Sequence, residues 1–169
     1  MKSKKQIIWE QKQAEVEKIT DRLGKKVDRG IKETVTAFMV YGFSVSGSCE
    51  GHIKGECPYP WLDIGAPEPE GWQKSKRKEQ AWRAENLEQQ QRMLEIMKKF
   101  YQRRQSSLDA RLNFYHLGAF GAFRVQNLGA DVMELLIPEE RKQKFELYRK
   151  EMKDFTKFLK DKYFSKWIF

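Results

Sequence analysis

At 169 residues, with 40% apolar and 13% aromatic side chains, the chain can bury one substantial core and is short for two. Two cysteines, Cys49 and Cys57, exclude a disulfide framework as the main source of stability. The longest nearly apolar run, Thr34 to Phe43, falls well short of a bilayer span. A net charge of +9, from 33 basic and 24 acidic side chains, brings anionic partners to the front.

That charge is uneven. Residues 1–33, 73–104 and 139–169 carry +4, +6 and +4, whereas 43–71 carries −4. Basic helices can hold polyanions by neutralising their backbone, although a lysine-rich exterior also serves simply to solvate a helix. Lys2, Lys4 and Lys5 lead into Ile7-Ile8-Trp9 with no apolar signal core, so a soluble, cytoplasmic protein without membrane association is expected.

In chain order, a first helix is expected over about Ser3 to Leu23, with Val16, Ile19 and Leu23 as its stripe and Gly24 as its stop. Val27, Ile31, Val35 and Phe38 recur at spacings of four, four and three, which predicts a second helix ending at Gly42. Phe43-Ser44-Val45 reads as a short strand, followed by a turn over Ser46 to His52. The alternation of Trp61-Leu62-Asp63-Ile64 predicts another strand with Asp63 on the polar face. Pro58, Pro60, Pro67 and Pro69 bracket it and favour a place at the sheet edge. A long basic helix is expected over about Gln73 to Gln105, polar in its first half and packing in its second.

Residues 109–127 read as a β-hairpin. Leu112, Phe114 and His116 share one face with Phe123 and Val125 across the turn. Arg111, Asn113 and Tyr115 share the other with Arg124 and Gln126. Pro138-Glu139-Glu140 then opens a helix, with proline and acids where a first turn favours them. Its stripe of Phe145, Tyr148, Met152, Phe155 and Leu159 is either a core face or a homodimer seam. The sum is one α+β domain over 1–169, a small, mainly antiparallel sheet against three or four helices.

Chemistry concentrates in Ser48-Cys49-Glu50-Gly51-His52, which sets a thiol, a carboxylate and an imidazole within four positions. Three readings follow. Cys49, His52, Cys57 and His116 are the whole stock of cysteine and histidine, and together would make a Cys2His2 zinc set. Alternatively, Cys49 is a nucleophile and His52 its base, with Glu50 or Asp63 orienting the imidazole, as in a cysteine hydrolase or transferase. Third, Gly51 and Ser48 offer backbone and hydroxyl donors, Arg111 and Arg124 bidentate cations, and Asp63 an acceptor, which suits a binding module for a small anionic ligand or a nucleic acid. This third reading leads. An interaction scaffold, with the last helix and Trp167-Ile168-Phe169 docking a partner, is a further class.

The run Ser48-Cys49-Glu50-Gly51-His52, with Gly42-Phe43 before it, Tyr59-Pro60-Trp61-Leu62-Asp63 after it and Gly121-Ala122-Phe123-Arg124 beyond, resembles small bacterial and phage proteins carrying Ser-Cys-x-Gly-His between two strands. The resemblance covers about residues 31–64. It implies one α+β domain with its site at the turn and attaches no reaction to it. A fainter likeness to the Ser-Cys-Ser-Gly-Arg segment of wybutosine-type tRNA modification proteins stops at His52, where those carry arginine.

Overall fold

A computed structural model describes residues 2–21, 23–55 and 57–165. Helix α1 (Lys4–Val16) starts where the Ser3 hydroxyl accepts from the Gln6 amide at 3.2 Å. It stops seven residues earlier than the Val16-Ile19-Leu23 stripe predicts. Val16 is buried, whereas Leu23 is 93% exposed and sits in a turn built by Asp21, whose carboxylate accepts from the Leu23 and Lys25 amides. An isolated bridge between Thr20 and Lys26 closes that turn. The spacing of Val27 and Ile31 is also not helical. Val27 packs against the core from an extended segment, a 3-10 turn covers Arg29–Ile31, and α2 (Lys32–Val40) begins only then. Gly42, at φ +77°, ends α2 as expected.

The sheet has four strands: β1 (Val45–Cys49), β2 (Trp61–Ile64), β3 (Leu112–Leu117) and β4 (Ala122–Asn127), in the order β1-β2-β4-β3 with every neighbouring pair antiparallel. Ser46 to Cys49, expected in a turn, thus belong to a strand. β2 lies inside the sheet and not at its edge. Its prolines flank the pairing residues without entering them, so every ladder amide is kept. Leu62, Ile64, Phe123 and Val125 are fully buried on one face, and α2 and α4 (Pro138–Phe164) close over them through Val35, Phe38, Met152, Phe155 and Leu159. The whole α4 stripe is spent in the core of its own chain, which answers the choice between core and dimer seam.

Helix α3 (Lys76–Tyr101) departs most from its polar sequence. It is capped by Ser75 after a separate 3-10 turn at Trp72–Lys74. Its first half is stitched to strand ends through backbone groups. Asn86, 1% exposed, accepts from the Ala66 amide at 2.7 Å and donates to the Phe120 carbonyl at 2.8 Å. Gln89 accepts from the Ser44 amide at 2.7 Å, Gln90 donates to the Gly121 carbonyl, and the Trp82 indole donates to the Ala66 carbonyl. Both ends of the Asn86 carboxamide are satisfied by main chain, which matters because an unpaired buried amide costs about 1–3 kcal/mol, whereas the buried Gln89 Nε2 has no partner among the described residues. Trp82 also stacks on Phe120 at 4.7 Å between centroids, extending the contact to the hairpin turn.

A second, smaller core joins Ala110, Met133, Phe145 and Tyr148. At its rim Asp109 accepts from Lys144 at 2.6 Å and from the Tyr148 hydroxyl at 2.9 Å. Burial opposes ionisation of Asp109, but hydrogen bonds from Lys144, Ser107 and Tyr148 outweigh it and hold its pKa at about 2, below the ordinary 3.8. The folded state therefore favours the carboxylate, and the associated stability is present above pH 4 and disappears as pH falls through about 2. Asp109→Asn is expected to cost about 1 kcal/mol at neutral pH, discounted for the part-exposed pair, and to flatten the acid limb of a urea-denaturation series between about pH 4 and 2.

Candidate functional site

β1 ends at Cys49, and the chain turns sharply through Glu50 and Gly51 into His52. Gly51 has φ +84°, and a Cβ on it would stand 2.9 Å from the Tyr59 carbonyl carbon. Only glycine fits this approach of two backbones. The Gly51 amide donates to Cys49 Sγ at 3.4 Å, and the His52 amide donates to the Cys57 carbonyl at 2.8 Å. The turn thereby fixes thiol and imidazole toward a third residue that sequence reading passed over, Asp28. Its Oδ2 lies 3.1 Å from His52 Nε2, and the Glu50 amide donates to the same oxygen at 3.4 Å. One donor atom each from Asp28, Cys49 and His52 lies within 4.8 Å of the other two. Asp28 was hidden because Val27 and Ile31 at helical spacing place it on the flank of a helix, whereas it stands just before the 3-10 turn.

Electrostatics follow from burial. Cys49 is 8% exposed, and its thiol pKa is pushed up by burial first and by the Asp28 charge among the further contributions, so the neutral thiol is favoured. Burial would raise the Asp28 pKa, but the Glu50 amide, His52 and Lys25 together bring it below the usual carboxylate value. Lys25 Nζ is 3.4 Å from Asp28 Oδ1.

Asp28 also lines a cleft of about 140 Å³ between the 19–28 segment and β1. Thr20, Asp21, Lys25, Lys26 and Asp28 line it from the 19–28 segment, and Ser46, Gly47 and Ser48 from β1. β1 pairs only with β2 among the described strands, so its far side faces this cleft with unpaired main-chain groups. Broader hollows of about 560 and 680 Å³ lie where α3 and α4 end, around Phe100, Arg104, Phe158 and Lys162. They are grooves among charged side chains beside the last described residues, so donor chemistry and not size places the site.

The other expected site residues are dispersed. Asp63 and Arg124 are cross-strand partners that close on each other, with Arg124 Nε 2.6 Å and Nη2 2.9 Å from the two carboxylate oxygens and the guanidinium 3.8 Å over the Trp61 ring. Arg111 lies against Tyr101 at the end of α3, four residues along the chain from Tyr115, the partner of Arg124. The two arginines therefore do not converge. Glu50 turns away from His52, accepting from the Gly30 amide at 2.6 Å and standing 3.9 Å from Arg149. The carboxylate that meets the imidazole is that of Asp28 and not that of Glu50. The Cys2His2 set is not assembled. His116 is exposed near the hairpin tip of the outer strand β3, whereas Cys49 ends β1 at the opposite edge, and Cys57 is outside the donor group. The Trp167-Ile168-Phe169 tail lies outside the described residues. Among the described residues no helix is long and apolar enough to cross a membrane. The chain matches no protein-family model, no curated protein and no solved structure.

Proposed function

We propose that this chain is a binding module for a small anionic ligand, seated in the cleft between the 19–28 segment and the free side of β1. The observation that carries the reading is the wall chemistry: Lys26 and Lys25, the latter 3.4 Å from Asp28, line the cleft beside Asp21 together with Ser46, Ser48 and the free edge of β1. Ammonium, hydroxyl and main-chain N–H groups on opposite walls are the donors a phosphate or carboxylate needs. The volume of about 140 Å³ is below the roughly 300 Å³ at which sites for drug-sized ligands begin. It suits a phosphate or carboxylate head group, with the rest of a nucleotide or a nucleic-acid end lying outside. The seat is therefore displaced from the one expected around Arg111 and Arg124, which do not converge and of which Arg124 is already paired with Asp63.

The alternative of a cysteine–histidine enzyme draws support from the Asp28–His52 contact, which has the form of an oriented base. A raised thiol pKa at Cys49 runs against it, since attack needs the thiolate.

Calorimetric titration of inorganic phosphate, AMP and a short oligonucleotide at fixed salt tests the binding reading. Lys25→Glu/Lys26→Glu is expected to weaken phosphate and AMP at least about tenfold, since one charge-assisted hydrogen bond is worth about 1.5–3 kcal/mol. Unchanged affinity in that variant contradicts the cleft. So does binding of the oligonucleotide alone, steeply salt-dependent and unaffected by the change, which would assign recognition to the basic helices.

A further inference from the structure

We propose that Asp28, Cys49 and His52 form a three-donor site for a divalent transition-metal ion of the zinc type, with a fourth position left for the anion in the adjoining cleft. The fourth position rests on the cleft being a ligand seat; the three-donor set does not.

Zinc bonds to thiolate sulfur at about 2.3 Å and to imidazole nitrogen or carboxylate oxygen at about 2.0–2.2 Å, which in tetrahedral geometry spaces the donors about 3.4–3.6 Å apart. The His52 and Asp28 donors are 3.1 Å apart, and Cys49 Sγ completes a triangle with no side above 4.8 Å. Closing the longer sides to tetrahedral spacing asks about 1 Å of movement. The three residues come from two segments that the fold holds independently: Asp28 from the chain leading into the 3-10 turn, Cys49 and His52 from the end of β1.

Chemistry agrees with reach. Sulfur, nitrogen and one carboxylate oxygen are a borderline-soft set that suits zinc, whereas calcium and magnesium take oxygen alone. Without an ion the site puts a thiol, an imidazole and a carboxylate in one small volume with only partial pairing among them. With an ion, Cys49 gives up its proton to solvent and binds as thiolate, and the metal charge compensates both anions. His52 has 43% of its side chain exposed and Asp28 lines the cleft, so an ion and a ligand can enter from that side. Three protein donors with one position open is the arrangement of zinc sites that take a further ligand, in contrast to the closed sets of structural zinc. The occupant of the fourth position is then an oxyanion held between the metal and Lys25 or Lys26.

Cobalt(II) in place of zinc gives a direct readout. Titrating the full, reduced chain with cobalt should produce a thiolate-to-cobalt charge-transfer band that saturates at one equivalent and is bleached by zinc. Cys49→Ser should abolish the band and Cys57→Ser should retain it. His52→Ala, at a part-exposed position that leaves folding intact, should weaken cobalt binding tenfold or more, as should Asp28→Asn. Absence of the band at equimolar cobalt overturns the proposal. So does a band that survives Cys49→Ser or vanishes in Cys57→Ser. Repeating the phosphate titration in EDTA separates the two ideas: binding that persists without metal sustains the cleft even where cobalt fails, and a cobalt band with no phosphate binding sustains the donor triangle alone.

Discussion

Arg104→Ala is expected to destabilise the fold by about 3–5 kcal/mol. Glu151 on α4 is 2% exposed, and Arg104, just past the end of α3, grips it through Nε at 3.2 Å and Nη2 at 2.7 Å while also contacting Asp154 at 2.5 Å. Removing the guanidinium strands a buried carboxylate, and the stranded charge, more than the lost bond, sets the cost. For a chain of this size each kcal/mol moves the midpoint by about 2–4 °C, so a loss of about 10 °C in thermal denaturation is the expected reading. Pairing the change with Glu151→Met should recover most of it, because the charge then leaves with its partner. Failure of the double variant to recover would mean that the arginine acts through packing on Phe100, over which it lies at 4.9 Å. In either case phosphate affinity of the folded protein should be unchanged, since none of Arg104, Glu151 and Asp154 lines the cleft.

Gly51→Ala should do the reverse. The residue sits at φ +84°, and its added methyl would meet backbone atoms of Tyr59 and Pro60 at 2.9–3.2 Å, none of which is a flexible side-chain end. Left-handed strain and overpacking together are expected to cost about 2–4 kcal/mol. The turn must open to relieve them, and it carries Cys49 and His52 on its two sides. Cobalt and phosphate affinity should therefore fall together, even at temperatures where circular dichroism shows full folding. A Gly51→Ala protein with native affinity would contradict the view that this turn aims the donor set.

How much of this was legible in the sequence depends on which physical signal each residue obeys. The alternation of β2, the hairpin's Leu112, Phe123 and Val125 and the α4 stripe follow the pattern of burial, whereas His116, expected with the apolar face, is exposed and Gln126, expected on the polar face, is buried. The 17–31 stretch misleads because apolar residues four apart satisfy a helical template while the chain runs through a turn and a bridge. Asp28 was lost with it. Asn86 and Gln89 look like solvated helix surface because the partners that bury them, backbone groups of Ala66, Phe120 and Ser44, leave no mark in side-chain hydropathy. Strand alternation placed Asp63 and Arg124 each on the polar face of its own strand, but alternation gives no distance along a strand. It therefore could not show that His116 and Cys49 sit at opposite ends of the sheet, or that Arg111 turns to Tyr101.

The most direct test of the account is an amide chemical-shift map of the intact, isotopically labelled chain titrated with inorganic phosphate. Shifts concentrated at Lys25, Lys26, Asp28 and Ser46 to Cys49, saturating at one equivalent bound, are the predicted result. Shifts spread along α3 and α4 with the cleft amides unmoved would contradict it and move recognition to the basic helices.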